Sequence, residues 1–205
     1  MNTSPKSLYL GVARQFLYLV LLTLIVIVFW KIGDVYKNTA VVENGIFEIL
    51  QSVVLALVSL SFGISAIKNA SYRPILFLMS MMALAALIRE QDAFFDELMP
   101  AIGWVWCWIF PFAGIAAIIR RRNTIQPEIN DFLASNSFHM MVTAAIIMIP
   151  IAQCLGHRSF LVDLLNNKMY DAVLIRRILE ETVEIIAYLV LLLASVETFF
   201  EFRKK

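Results

Sequence analysis

The residues best suited to chemistry in this sequence are acids that stand at the ends of long apolar segments. Between Arg89 and Glu97, five of nine side chains are ionisable, and four of those five are acidic. The ends of three further segments add polar side chains, namely Asn44, Glu48, Gln51, Gln153, His157, Arg176, Arg177, Glu180, Glu181 and Glu184. Carboxylates combined with an imidazole are a ligand set that divalent metals accept.

Helical spacing places many of these side chains on shared faces. Residues at i, i+3, i+4 and i+7 are neighbours on a helix surface. Arg177, Glu180, Glu181 and Glu184 fit that spacing, as do Asn44 with Glu48 and Gln51, and Arg89 with Asp92 and Asp96. The opposite faces are rich in Leu, Ile, Val and Phe. We therefore expect the polar faces to turn toward one another and to form an acidic pocket.

This pattern predicts a site for a divalent metal or another cation. The predicted metal ligands are Glu48, Glu90, Asp92, His157, Glu180 and Glu184. Glu90 and Glu184 are also the predicted catalytic acid and base, and Arg89, Arg177 and Asn44 are predicted to bind the substrate. Zn, Mn or Fe would suit such ligands, and a metal-bound water with a lowered pKa would be the nucleophile.

The depth of the acids supports a functional interpretation. A charged side chain at the centre of a bilayer costs roughly 2.5–3.5 kcal/mol on insertion scales, so such residues pair or face a cavity. Glu48, Glu90, Glu180 and Glu184 lie about one to two helical turns inside the apolar boundary. A structural interpretation competes for Asp96 and Glu97, because charged residues at helix ends commonly face headgroups and water.

The elements that must position these residues are transmembrane helices. The chain is 60% hydrophobic and 16% charged, with a mean hydropathy of +0.78. Soluble domains contain roughly 45–50% apolar and about 25% charged residues. The net charge of +1 gives no field that would favour nucleic acid. The composition indicates an integral membrane protein, and the lipid bilayer is therefore one of its predicted partners.

Six segments reach the length of about 20 residues that a membrane crossing requires. They cover residues 8–30, 46–67, 74–93, 101–119, 137–155 and 178–199. Their connections are short and leave no room for a separate soluble domain. We therefore predict that residues 1–205 form a single all-α bundle of six transmembrane helices.

The distribution of Lys and Arg predicts the orientation of this bundle. Six crossings put both termini on one side, and that side also receives Arg120, Arg121 and Arg122. Because basic residues near helix ends favour the cytoplasm, both termini are predicted to be cytoplasmic, in an inner (plasma) membrane. The acids then lie at the non-cytoplasmic face.

Three functions compete at this stage. The first is a cation-binding site that acts on a lipid-borne or small polar substrate. The second is a cation- or proton-coupled transporter, which predicts acids throughout the depth of the bundle. The cytoplasmic half offers only Glu197 and Glu201, so this alternative ranks second. The third is a non-enzymatic membrane subunit whose polar surface docks an unidentified protein partner.

Overall fold

A computed structural model describes residues 5–36, 45–99, 101–157 and 169–202. All regular secondary structure in these residues is helical. The helices are α1 (Pro5–Tyr36), α2 (Ile46–Lys68), α3 (Arg73–Glu90), α4 (Asp92–Leu98), α5 (Ile109–Arg120), α6 (Gln126–Leu133), α7 (Asn136–Ile146), α8 (Gln153–Gly156) and α9 (Met169–Phe202). A 3-10 turn (Gly103–Trp108) leads into α5, and a π-helical turn (Ile147–Ala152) joins α7 to α8. The prediction of an all-α fold is confirmed for these residues.

Several of these helices are long and apolar enough to cross a membrane. Within the described ranges there are five such segments, or six if the bent pair α3–α4 is one crossing. The five segments are Leu10–Val28, Ile46–Lys68, Gly103–Arg120, Asn136–Leu155 and Ile175–Phe202. Large apolar side chains such as Phe16, Leu60 and Phe112 are exposed on the outside of the bundle. Such a surface is typical of helices that contact lipid.

The third predicted segment, residues 74–93, is interrupted. Helix α3 ends at Glu90, and α4 begins at Asp92 with its axis bent by 77°. The amide of Gln91 donates to Ser52 Oγ at 2.8 Å, and Asp92 Oδ1 accepts from the backbone N–H of Ala93 at 2.7 Å. The bond between Asp92 and Ala93 is local, and bonds of this kind compete with helix continuation. The expectation that Arg89, Asp92 and Asp96 share one helical face is therefore wrong.

Helices α2, α3 and α9 form the centre of the bundle. Their main apolar cluster includes Val58 and Phe62 from α2, Leu76 from α3, and Ala194 from α9. Two serines join α2 to α3 more tightly, because Ser80 Oγ donates to the backbone oxygen of Ser59 at 2.8 Å, and Ser59 Oγ to that of Ser80 at 3.1 Å. These three helices carry most of the acids described below.

Two further contacts fix α5 and α7 to this centre. Gly114 lies so close to α3 that a Cβ at this position would be 2.7 Å from the Cα of Leu78. The carboxylate of Glu201 accepts from the backbone N–H groups of Asn136 at 3.0 Å and Ser137 at 3.2 Å. A carboxylate at a helix N-terminus satisfies otherwise unpaired N–H groups and complements the helix dipole.

Helix α1 lies at the edge of the bundle, and only 6% of its apolar segment Leu10–Val28 is buried. It is held by a polar contact that we call the α1 clasp, formed by Arg14, Tyr18 and Glu197. Arg14 Nη2 lies 2.6 Å from Glu197 Oε1, and the Tyr18 hydroxyl donates to Glu197 Oε2 at 2.9 Å. Only 1% of the Glu197 side chain is exposed. The clasp therefore neutralises a fully buried carboxylate and attaches α1 to α9.

The close approach at Gly114 predicts that Gly114→Ala destabilises the bundle, because backbone atoms of α3 must move to admit the methyl group. Overpacking of this kind typically costs about 1–3 kcal/mol. Gly11→Ala is the matched control, since nothing lies within 4 Å of that position. Thermal unfolding in detergent measures both variants. Equal midpoints for the two would contradict the close approach of α3 and α5.

The α1 clasp predicts strong coupling between its charged partners. Removing one partner of a buried ion pair typically costs about 3–5 kcal/mol, while replacing both is far less costly. Arg14→Met alone should therefore lower stability more than the double variant Arg14→Met/Glu197→Met. A double-mutant cycle of unfolding free energies tests this. Additive effects of the two substitutions would show that the clasp is not a buried pair.

Candidate functional site

Five glutamates from three helices gather at one end of the bundle, and we call them the acid cluster: Glu48, Glu90, Glu180, Glu181 and Glu184. Glu48 stands in the first turn of α2 and Glu90 at the end of α3, while α9 contributes the other three. Glu90, Glu181 and Glu184 lie near enough to repel one another. Glu48 repels Glu90 and Glu181, and Glu180 repels Glu181 and Glu184.

Gln51 lies inside this cluster and is fully buried, with 0% of its surface exposed. Its amide nitrogen donates to Glu181 Oε2 at 2.8 Å and lies 3.5 Å from Glu184 Oε2. The reverse orientation of the amide would set its oxygen against the carboxylates. The amide oxygen, Oε1, has no hydrogen-bond partner. A buried acceptor without a partner typically costs about 1–3 kcal/mol, so this atom marks a position where a donor would be favourable.

Glu90 links the acid cluster to Tyr188 on α9 and to the exposed residue Arg89. The hydroxyl of the buried Tyr188 donates to Glu90 Oε1 at 2.8 Å, and Arg89 Nη1 lies 3.3 Å from the same oxygen. The side chain of Glu90 is 10% exposed and that of Arg89 is 55% exposed. Arg89 also interacts favourably with Glu184. The guanidinium group therefore stands at the rim of the cluster, with Glu90 and Glu184 behind it.

The structure gathers several of the predicted site residues. Glu48, Glu90, Glu180 and Glu184 belong to the acid cluster, and Arg89 borders it. Asp92 is exposed and begins α4, although its charge still acts on Glu90.

The remaining predicted residues are placed differently. His157 is exposed where α8 ends, and Arg177 is exposed on α9. Asn44 lies outside the described residues.

The predicted metal ligands are not arranged around one point. Across the described ranges, no group of three or more His, Cys, Asp or Glu side chains is placed so that it could hold a metal ion. A metal centre of Zn, Mn or Fe stays a prediction without geometric support.

Two contributors to the cluster were not predicted as site residues. Tyr188 has no role in the sequence analysis, and Gln51 was placed on a polar face without a function. Both carried a usable signal, because Tyr188 follows Glu184 by four residues and Gln51 follows Glu48 by three. An isolated polar residue at helical spacing from an acid, within an apolar helix, lies on the same face as that acid and is a candidate member of the same site.

No known family matches this chain, and no curated protein or solved structure is similar to it. What the acid cluster can do chemically is therefore argued from its own residues and their geometry.

The contact between Tyr188 and Glu90 predicts that Tyr188→Phe destabilises the protein. Hydrogen bonds to charged groups contribute about 1.5–3 kcal/mol, and the Glu90 side chain is too buried for water to replace the hydroxyl fully. Thr143→Val is a suitable control, since its exposed hydroxyl bonds only the backbone of its own helix in the described contacts. Unfolding midpoints in detergent compare the two. A loss no larger than that of the control would exclude a stabilising role for this contact.

Proposed function

We propose that this chain is a multi-span inner-membrane protein that binds a cation in the acid cluster. The observation that carries the proposal is the buried Gln51 Oε1, an unpartnered acceptor among carboxylates. The charge balance supports it as well. Even when Arg89, Arg176 and Arg177 are all counted, five carboxylates outnumber three guanidinium groups. Carboxylates at close range in a poorly solvated setting are stabilised by a bound positive charge.

The proposed orientation places the acid cluster at the non-cytoplasmic face and both termini in the cytoplasm. It is supported by the basic residues near the opposite helix ends, of which Arg120, Arg121 and Arg122 are the densest group. A ligand would then reach the cluster from the outer leaflet or from the solution outside it.

The rim residue Arg89 extends the proposal from a cation to a substrate. Its half-exposed guanidinium group would bind the anionic part of a lipid-borne or small polar molecule whose cationic part enters the cluster. Glu90 and Glu184 both interact with Arg89 and would act as acid and base in any reaction at this site.

Cation- or proton-coupled transport is the second candidate, and one observation favours it. Glu197 is a second buried carboxylate on α9, and it lies thirteen residues beyond Glu184, about 20 Å along the helix. Two further observations rank it below binding. Both oxygens of Glu197 are already bound by Arg14 and Tyr18. The inward face of α2 beyond Gln51 is filled by Leu55, Val58 and Phe62, which are fully buried.

Cation binding is tested by the thermal unfolding midpoint of the detergent-purified protein in rising concentrations of KCl, CaCl2, MnCl2, ZnCl2 and ethanolamine hydrochloride. A ligand that binds only the folded state stabilises it by about 2.7 kcal/mol at 100 times its Kd. We expect at least one of these cations to raise the midpoint saturably, and Glu184→Gln to remove that effect.

Glu97→Gln is the matched control for this experiment, because Glu97 is an exposed acid outside the cluster. Glu97→Gln should leave the stabilisation by the cation unchanged, because it removes an acid that is not part of the site. A nonspecific effect of ionic strength would instead be the same in Glu97→Gln and Glu184→Gln. The proposal fails if no cation gives a saturable shift, or if Glu184→Gln and Glu97→Gln respond as the wild type does.

A further inference from the structure

We propose that the cation bound by the acid cluster is an alkylammonium group, held by Gln51 Oε1 and the carboxylates of Glu181 and Glu184. This inference rests on the proposed cation site and names the chemical class of its ligand. Gln51 supplies the independent observation, because its buried amide oxygen has no partner while its nitrogen binds the cluster.

The number of acceptors fits the number of donors. A primary ammonium group carries three N–H donors and one positive charge. Gln51 Oε1 is one acceptor, and the carboxylates of Glu181 and Glu184, whose oxygens lie 2.8 Å and 3.5 Å from Nε2 of the same amide, would supply two more that are anionic. An ammonium group at this point would satisfy the buried amide oxygen and offset the repulsion between Glu181 and Glu184. Charge-assisted hydrogen bonds of this kind are about twice as strong as neutral ones.

The absence of a group of three metal-ligand side chains among the described residues favours an ammonium group over a bare metal ion. Metal ions require several oxygens that converge at about 2.0–2.6 Å. In the described part of the chain, no three carboxylate, imidazole or thiol groups meet that requirement. An ammonium group binds at hydrogen-bond distances of about 2.7–2.9 Å through separate N–H bonds, so its acceptors can stand further apart.

Apolar residues beside the cluster suit the carbon chain of an amine. Phe47 precedes Gln51 by four residues and Ile185 follows Glu181 by four, so each lies on the same helix face as that polar residue. Both are buried in one apolar cluster with Leu189. Methylene groups next to the ammonium nitrogen would contact this surface, which inorganic ammonium cannot do. Removing each methylene group from water is favourable.

An alkylammonium group can come from two sources. It can be the ethanolamine headgroup of a phospholipid, whose phosphate would then lie near Arg89 at the rim, or a free small amine in solution. The chemistry recognised by Gln51, Glu181 and Glu184 is the same in both cases, and the experiment below separates them.

The test compares ethanolamine hydrochloride with tetramethylammonium chloride, which has the same charge and no N–H donors. In thermal unfolding of the full chain in detergent, we expect half-maximal stabilisation by ethanolamine at a concentration at least tenfold lower. Gln51→Leu should abolish this difference, while Gln51→Glu, which keeps an acceptor oxygen, should preserve it. Gln153→Leu alters an exposed glutamine on α8 and is the matched control.

A lipid arm identifies the source. The protein is reconstituted in nanodiscs of phosphatidylcholine with or without phosphatidylethanolamine, two lipids that share the phosphate and differ in N–H donors. Stabilisation by phosphatidylethanolamine that is lost in Gln51→Leu supports the headgroup. Stabilisation by free ethanolamine alone supports a small amine.

Two results would overturn the inference, and they are distinguishable. If KCl or a divalent salt stabilises the wild type through Glu184 while ethanolamine matches tetramethylammonium, the ligand is an inorganic cation and the cation site itself stands. If no cation acts, both the inference and the proposed function fail. Should Gln51→Leu not fold, Glu181→Gln takes its place, and an unchanged preference for ethanolamine in that variant contradicts the inference.

Discussion

The hydrogen bonds of Gln51 are the interactions on which this end of the bundle depends. One amide on α2 reaches two carboxylates on α9, and it does so without solvent because Gln51 is fully buried. Unpaired charges in such surroundings are costly. The amide nitrogen offsets part of that cost, and the remaining cost is concentrated at the amide oxygen and in the repulsion among the glutamates. The proposed cation would relieve both.

At the opposite end of α9, a buried carboxylate is neutralised by other side chains of the protein and needs no ligand. Glu197 is as buried as Gln51, yet Arg14 and Tyr18 occupy both of its oxygens. Glu201 is likewise bound by two backbone N–H groups of α7. These carboxylates are neutralised or fully hydrogen-bonded within the chain, and they hold helices together. The acid cluster differs because the buried amide oxygen of Gln51, on the residue that bonds its carboxylates, has no hydrogen-bond partner. Such an unsatisfied buried group is one that a ligand could satisfy.

Helical periodicity was sufficient to predict the all-α fold and the grouping of Glu48, Glu90, Glu180 and Glu184. It failed where the backbone departs from a continuous helix. At the break, Gln91 bonds Ser52 on another helix, and the local sequence does not reveal that contact.

The direction of the Gln51 amide and its unpartnered oxygen are likewise tertiary facts. The pairing of Tyr188 with Glu90 joins positions 98 residues apart, and spacing within one helix cannot identify such a pair. Sequence thus predicts which face of a helix is polar. It does not predict which polar atoms on that face are already satisfied by other helices.

The most direct test of the central claim is an experimental density map of the protein in lipid nanodiscs, at a resolution that shows bound ligands around Gln51. The account predicts a cationic group within about 3 Å of Gln51 Oε1, in contact with Glu181 or Glu184. A map in which Gln51 Oε1 is bound by a side chain or backbone group of the protein, with no ligand among the glutamates, would contradict it.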